Sequence, residues 1–157
     1  LRCRAGDIDL AHHHAFGHHD FSAGYMRRET FWNWACLSGR AACGTPIGLN
    51  VSCGVNETSF SENCVWIDGT LIPVGLCAFD YKWDTPLDPW HIRTSDRQVD
   101  LTFTPQGQHR ERQQLLIAAS DFKQIFGHFH GTIHVPNRAP LHIKNMGGFV
   151  EDQYARW

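Results

Sequence analysis

The stretch Asn63-Cys64-Val65-Trp66-Ile67-Asp68-Gly69-Thr70-Leu71-Ile72-Pro73-Val74 decides the fold class. Two short runs rich in β-branched and aromatic residues flank Asp68-Gly69, a dipeptide suited to the two positive-φ positions of a type I′ turn. The reading is a tight hairpin between Cys64–Ile67 and residues 70–74. Outward from it, Val99, Leu101 and Phe103 alternate with Asp100, Thr102 and Thr104, the period of a half-buried strand, and residues 95–97 mark the reversal before them. Further runs fall at 29–36, 47–53, 76–83, 115–120, 124–135 and 141–146, with a turn at 137–140 closing the last hairpin. Gly147-Gly148 reads as a bend, and a single helical turn is expected at 111–116. With the histidine-rich start this makes about eight or nine strands, which must hide their edges by closing into a barrel or packing as a sandwich. The expectation is one all-β domain over residues 1–157, an antiparallel meander curled into a barrel, half-barrel or sandwich.

A chain of 157 residues is long enough to bury a core of its own, and 42% hydrophobic against 19% charged residues excludes a disordered protein. The net charge is −2 and the arginines are scattered, which argues against a nucleic-acid footprint. No apolar run reaches the roughly 18–20 residues of a membrane-spanning helix. The chain therefore reads as soluble and cytoplasmic. None of Cys3, Cys36, Cys43, Cys53, Cys64 and Cys77 forms a C-x-x-C pair, and most sit in apolar runs, so reduced, buried thiols are expected in preference to an extracellular disulfide set. The opening LRCRAGDIDL, without Met, resembles the interior of a strand pattern, as in a fragment or processed product.

Three groups of residues are candidates for chemistry. In HHHAFGHHDF, strand alternation sets His12, His14, His18 and Asp20 on one face, and a second row places His128, His130 and His134 together. Two imidazoles about 7 Å apart along a strand converge on one zinc ion; the alternative is a solvated row that only titrates. The segment DFSAGYMRRETFWNWA puts Arg28, Trp32 and Trp34 on one face as a stacked wall, either lining a pocket or packed for stability. Glu62 and Asn63 precede the strand carrying Trp66, and Glu151 lies in the closing GGFVEDQYARW. A carboxyl buried there would have the raised pKa that proton transfer needs. No G-x-S-x-G elbow, Walker loop or G-x-G-x-x-G opening a helix occurs.

Taken in order, DFSAG, RRETFWNWA, IGLN, SENCVWIDG, PWHI, VDLTFTP, QIFGHFHG and GGFVEDQYARW give the chain, from about residue 6 to its end, a resemblance to the domain of unknown function 2804 family. That family's members are longer, so the resemblance implies the C-terminal half of a two-domain protein. It also implies a lipocalin-like (calycin-type) barrel or half-barrel, distantly similar to carotenoid and isoflavonoid hydratases. The family's polar positions fall on Asp20, Arg28, Asn63 and Glu151, and its aromatic marks on Trp32, Trp34, Trp66, Trp90 and Trp157. His18, His19, His128 and His130 depart from its pattern, which counts against an inherited metal site.

Three functions follow as expectations. The first is binding of a small apolar molecule, isoprenoid- or acyl-like, in a barrel cavity lined by Arg28, Trp32, Trp34, Glu62, Asn63 and Trp66. The second is a cofactor-free hydratase, isomerase or cyclase with Asp20 or Glu151 as proton donor. The third is a histidine-rich protein holding zinc at His12, His14, His128 and His130, or assembling with other copies or with an absent N-terminal portion through its strand edges.

Overall fold

The computed structural model describes residues 2–3, 6–10, 15–21, 23–55 and 61–157, so His12 and His14 lie outside the described residues. Strands β1 (Arg2–Cys3) and β2 (Gly6–Asp7) form a small antiparallel pair. The body is one antiparallel sheet built from β3 (Glu29–Arg40), β4 (Pro46–Cys53), β5 (Cys64–Ile67), β6 (Thr70–Pro73), β7 (Cys77–Asp80), β8 (Trp90–Thr94), β9 (Val99–Gln114), β10 (Ala119–Ile133) and β11 (Leu141–Arg156). No helix among the described residues is long and apolar enough to cross a membrane.

The spatial order is β6-β5-β4-β3-β11-β10-β9-β8-β7. Two meanders are thus joined where β3 pairs with β11, and the edge strands β6 and β7 are consecutive in the chain. Flat, nine strands would hold those edges about 38 Å apart. The three residues between Pro73 and Cys77 span at most about 14 Å. The sheet must therefore curl, and it forms a half-barrel. Hydrogen bonds hold the crossing on both sides: Val74 N donates to Asn63 O at 3.0 Å, and Ser95 N donates to Leu76 O at 2.8 Å.

Alternation along each strand gives the curled sheet a filled inner face. Leu37, Leu49, Val51, Ile67, Trp90, Ile92, Leu101, Phe103, Ile125, Phe129 and Val150 are buried there. The Asp68-Gly69 hairpin forms as the dipeptide dictates, with φ of 52° and 79° at the two turn residues. Four expectations need correction. Of the run 115–120 only Ala119 and Ser120 are strand, as the start of β10, and 111–116 is not a helical turn: the ladder carries β9 through Gln114 against β10, and Leu115 N donates to Ala118 O at 2.7 Å to close the hairpin tip. Gly147-Gly148 is not a bend but the middle of β11, where a Cβ on Gly148 would come within 2.7 Å of the Phe129 ring. Residues 15–21 form no strand, so the histidine row expected there does not exist as a strand face.

Candidate functional site

The face opposite the core carries the residues of interest, and the register explains why they meet. β11 pairs with β3 so that Glu151 lies opposite Trp34 and Gln153 opposite Trp32. On its other side β11 pairs with β10, placing Gln124 beside Glu151 and Phe126 beside Phe149. Glu151 is therefore flanked by an indole-bearing strand and an amide-bearing one. Only 8% exposed, it accepts from Gln124 Nε2 at 2.8 Å through Oε1 and from Trp32 Nε1 at 3.5 Å through Oε2.

Burial raises the Glu151 pKa, the Gln124 and Trp32 hydrogen bonds oppose it, and the nearby Asp20 charge adds to the rise. Burial also pushes the Cys36 thiol up to about 12, with Glu151 and Asp20 contributing. That thiol is no nucleophile near neutral pH. It forms part of the floor, as the buried-thiol reading expects. Glu151 and Asp20, far apart in sequence, thus share one site: a buried acid beside an exposed carboxylate.

Aromatic rings continue the site toward β4 and β5. Trp34 packs edge-on against Phe149 with centroids 5.2 Å apart, and its Nε1 donates to Asn50 Oδ1 at 2.8 Å. Segment 15–21 crosses this face, and His18 sits 5.4 Å from Trp34 and 6.4 Å from Phe149, ring to ring. Beside it a cavity of about 330 Å³ opens between Phe16, His18 and His19 above and Ser38, Gly48 and Trp66 below.

The remaining expected residues are placed less centrally. Arg28 is exposed at the foot of β3, where its carbonyl accepts from Trp157 N at 3.1 Å. Glu62 is exposed, and its carbonyl accepts from Asn50 Nδ2 at 3.2 Å. Asn63 is buried with both ends of its amide engaged: Oδ1 accepts from Ser52 N at 2.7 Å, and Nδ2 donates to Gly75 O at 3.1 Å. His128 and His130 lie on the same sheet face farther along β10, opposite Thr104 and Thr102. Among the described residues no three His, Cys, Asp or Glu side chains are grouped to hold a metal.

Sequence reasoning missed Gln124, Cys36 and Phe149 as parts of this site, and it read His18 as one of a strand row of metal ligands with Asp20 instead of a ring packed on Trp34. Gln124 and Cys36 carried no signal of their own. Phe149 carried one, as an apolar residue two before Glu151 on the same strand face. Cys36, Cys43, Cys64 and Cys77 form no disulfide.

Among known proteins, the model of a family described as a domain of unknown function (DUF2804) matches residues 1–157. No curated protein and no solved structure matches the chain.

Proposed function

Because the chain belongs to the DUF2804 family, a domain of unknown function, its role has to be read from its own side chains, and we propose that it binds a small apolar molecule, isoprenoid- or acyl-like, against the tryptophan wall of β3 and β5. The observation that carries this is the cavity of about 330 Å³ between residues 16–19 and the sheet, bordered by Trp66 and adjoining the Trp34–Phe149–His18 cluster. Its size is at the lower end of small-molecule sites, and indoles offer broad apolar contact with one fixed donor. In this reading the half-barrel is the C-terminal half of a lipocalin-like two-domain protein. The exposed Leu115, Leu116 and Ile117 at the β9–β10 tip support it, as apolar side chains that a further domain or another copy would cover. The thiols of Cys36, Cys43, Cys64 and Cys77 suit a reducing cytoplasm.

Titration with farnesol and with lauric acid tests the proposal. Binding quenches tryptophan fluorescence and raises Tm, as any ligand selective for the folded state must, and Trp66→Ala weakens both effects. Failure of both probes to change either signal counts against it.

One observation favours a second, catalytic reading: the pairing of a buried Glu151 with the exposed Asp20 beside tryptophan faces. Glu151, whose proton burial holds more tightly than usual, transfers that proton to an alkene carbon as the π bond breaks. Trp32 or Trp34 stabilises the resulting cation through its ring face. Addition of water with loss of its proton to a carboxylate completes a hydration, and loss of a neighbouring C–H proton completes an isomerisation. Turnover that survives both Glu151→Gln and Asp20→Asn removes this reading.

A further inference from the structure

On the face opposite the core, the register sets four side chains in one row across four strands. Glu111 of β9 lies opposite Phe122 of β10, Phe122 opposite Gln153 of β11, and Gln153 opposite Trp32 of β3. Residues directly opposite one another share a face, so two aromatic side chains flank an amide from strands two apart, their backbones about 10 Å from each other. A groove of about 310 Å³ opens over this row, lined by the four residues with Gln113 and Ser120. Gln153 is buried beneath it, whereas Trp32 and Phe122 keep part of their surface open to solvent and Glu111 is exposed.

The charge of the groove has one sign. Among the described residues Glu111 is the only acid or base that lines it, and Gln113 Nε2 donates to its Oε1 at 2.6 Å. Strand alternation turns the neighbouring bases to the other face: Arg110 pairs there with Asp121 at 2.8 Å, Lys123 pairs with Asp152, and Arg112 lies opposite Asp121. His109 packs against Phe122 from β9 with ring centroids 6.4 Å apart, outside the lining of the groove. The N–H of Trp32 is committed to Glu151, so the indole offers the groove its carbon surface. Aromatic faces carry negative potential, which adds to that of the carboxylate.

We propose that the Trp32–Phe122 groove binds an organic cation, a quaternary ammonium group, held between the two aromatic side chains with Glu111 as its counter-charge. A cation seated over Gln153 stands about 5 Å from each wall, within the roughly 6 Å of a ring centroid over which the attraction acts. A quaternary group fits better than a primary ammonium or a metal ion. Its methyl groups meet ring carbon and it has no N–H to satisfy, whereas a primary ammonium brings three donors and a hard metal ion needs several oxygen ligands. The groove shares no lining residue with the cavity under residues 16–19, and the inference stands whether or not that cavity holds a ligand.

NMR titration of the full chain with choline and with 3,3-dimethylbutan-1-ol is the test, because the two probes share one branched shape and differ in the charge. Choline shifts the indole N–H of Trp32 and the amide of Phe122, and binds about fivefold tighter than the alcohol or more, the gain expected from two partly exposed rings. Glu111→Gln and Phe122→Leu each lower the affinity for choline severalfold, while Trp66→Ala, in the other cavity, leaves the preference intact. Equal affinity for the two probes, no saturable shift with choline, shifts confined to residues 16–19 and Trp66, or a preference that either groove variant leaves unchanged overturns the proposal. Where Phe122→Leu does not fold, Glu111→Gln decides alone, since it alters an exposed side chain.

Discussion

The indole N–H of Trp32 donates to Oε2 of Glu151 across 3.5 Å, tying a residue of β3 to one of β11 from which it is separated by 119 positions. With Gln124 on the other oxygen, the carboxyl is held by donors from the strands on both sides. Its position is fixed, but its burial disfavours the charge.

Glu151 should therefore make the fold less stable as pH rises. Its pKa in the folded state lies above the ordinary 4.5, so the folded chain holds this proton more tightly than the unfolded one. Stability from this group is complete below the unfolded value and is lost as pH climbs through the folded value. Glu151→Gln cannot ionise, and its amide oxygen still accepts from Trp32 while Gln124 turns its own amide to receive the new N–H. Thermal melts should show the variant equal to the wild type near about pH 4 and more stable near about pH 8. A difference independent of pH would mean that Glu151 is not the buried acid described.

Lys123 and Asp152 form a buried ion pair, with Nζ to Oδ2 at 2.5 Å and side-chain exposures of 12% and 8%. Removing one partner leaves a charge with no counter-charge in a dry place. Lys123→Met is expected to lower stability by about 3–5 kcal/mol, whereas Lys123→Met with Asp152→Leu loses much less. Urea unfolding measures both, and a Lys123→Met loss under about 1 kcal/mol would show that the pair is well solvated.

Gly127 sits in β10 opposite Gly148, beside the place where the β9 register slips. A Cβ there would fall 2.8 Å from the Phe103 ring and closer still to Thr104 O, which is backbone and cannot swing away. Gly127→Ala should cost about 1–3 kcal/mol, or more if the strand has to move. Gly107→Ala, in the neighbouring strand with nothing within 4 Å of its Cβ, is the control and should be nearly neutral. Equal effects of the two substitutions in denaturant melts would refute the packing argument.

Strand identity was legible where a local rule acts alone. Asp68-Gly69 needs positive φ at both positions whatever surrounds it, and the 99–104 alternation reads directly as one buried face. Register was not legible, because it depends on bulges that no short motif marks. Extending the Ile133–Leu141 pairing straight up the last hairpin would set Gln124 opposite Val150; the slip between Phe129 and Gly131 sets it opposite Glu151 instead. One residue of slip decides whether the two share a face. The Trp32–Trp34 face was visible from alternation, as was Glu151 as a candidate acid. That Asp20 joins them depends on segment 15–21, which crosses the sheet without being a strand and so follows no periodic rule.

The closure at β6 and β7 gives the last prediction, since Asp96 ties the crossing to the β8–β9 turn. Its Oδ2 accepts from Gly75 N at 2.6 Å and from Gln98 Nε2 at 2.7 Å, while Oδ1 accepts from Thr94 Oγ1 at 2.6 Å and from Gln98 N at 3.0 Å. Partial withdrawal from water acts to raise its pKa, but the bonds from Thr94, Gln98 and Gly75 outweigh it and the net shift is downward. The sign is opposite to that of Glu151: this contribution is present above the unfolded value and is lost as pH falls through the folded one. Asp96→Ala should destabilise the chain by about 1–3 kcal/mol at neutral pH, by releasing several hydrogen bonds at a partly wet site. The gap should narrow in acid as the wild-type carboxylate is protonated. Amide hydrogen exchange at Gly75 and Ser95 gives the local reading: faster exchange at both in Asp96→Ala means that the crossing opens there first. Unchanged exchange would mean that Asn63, whose Nδ2 holds Gly75 O from the other side, is enough to keep the half-barrel curled.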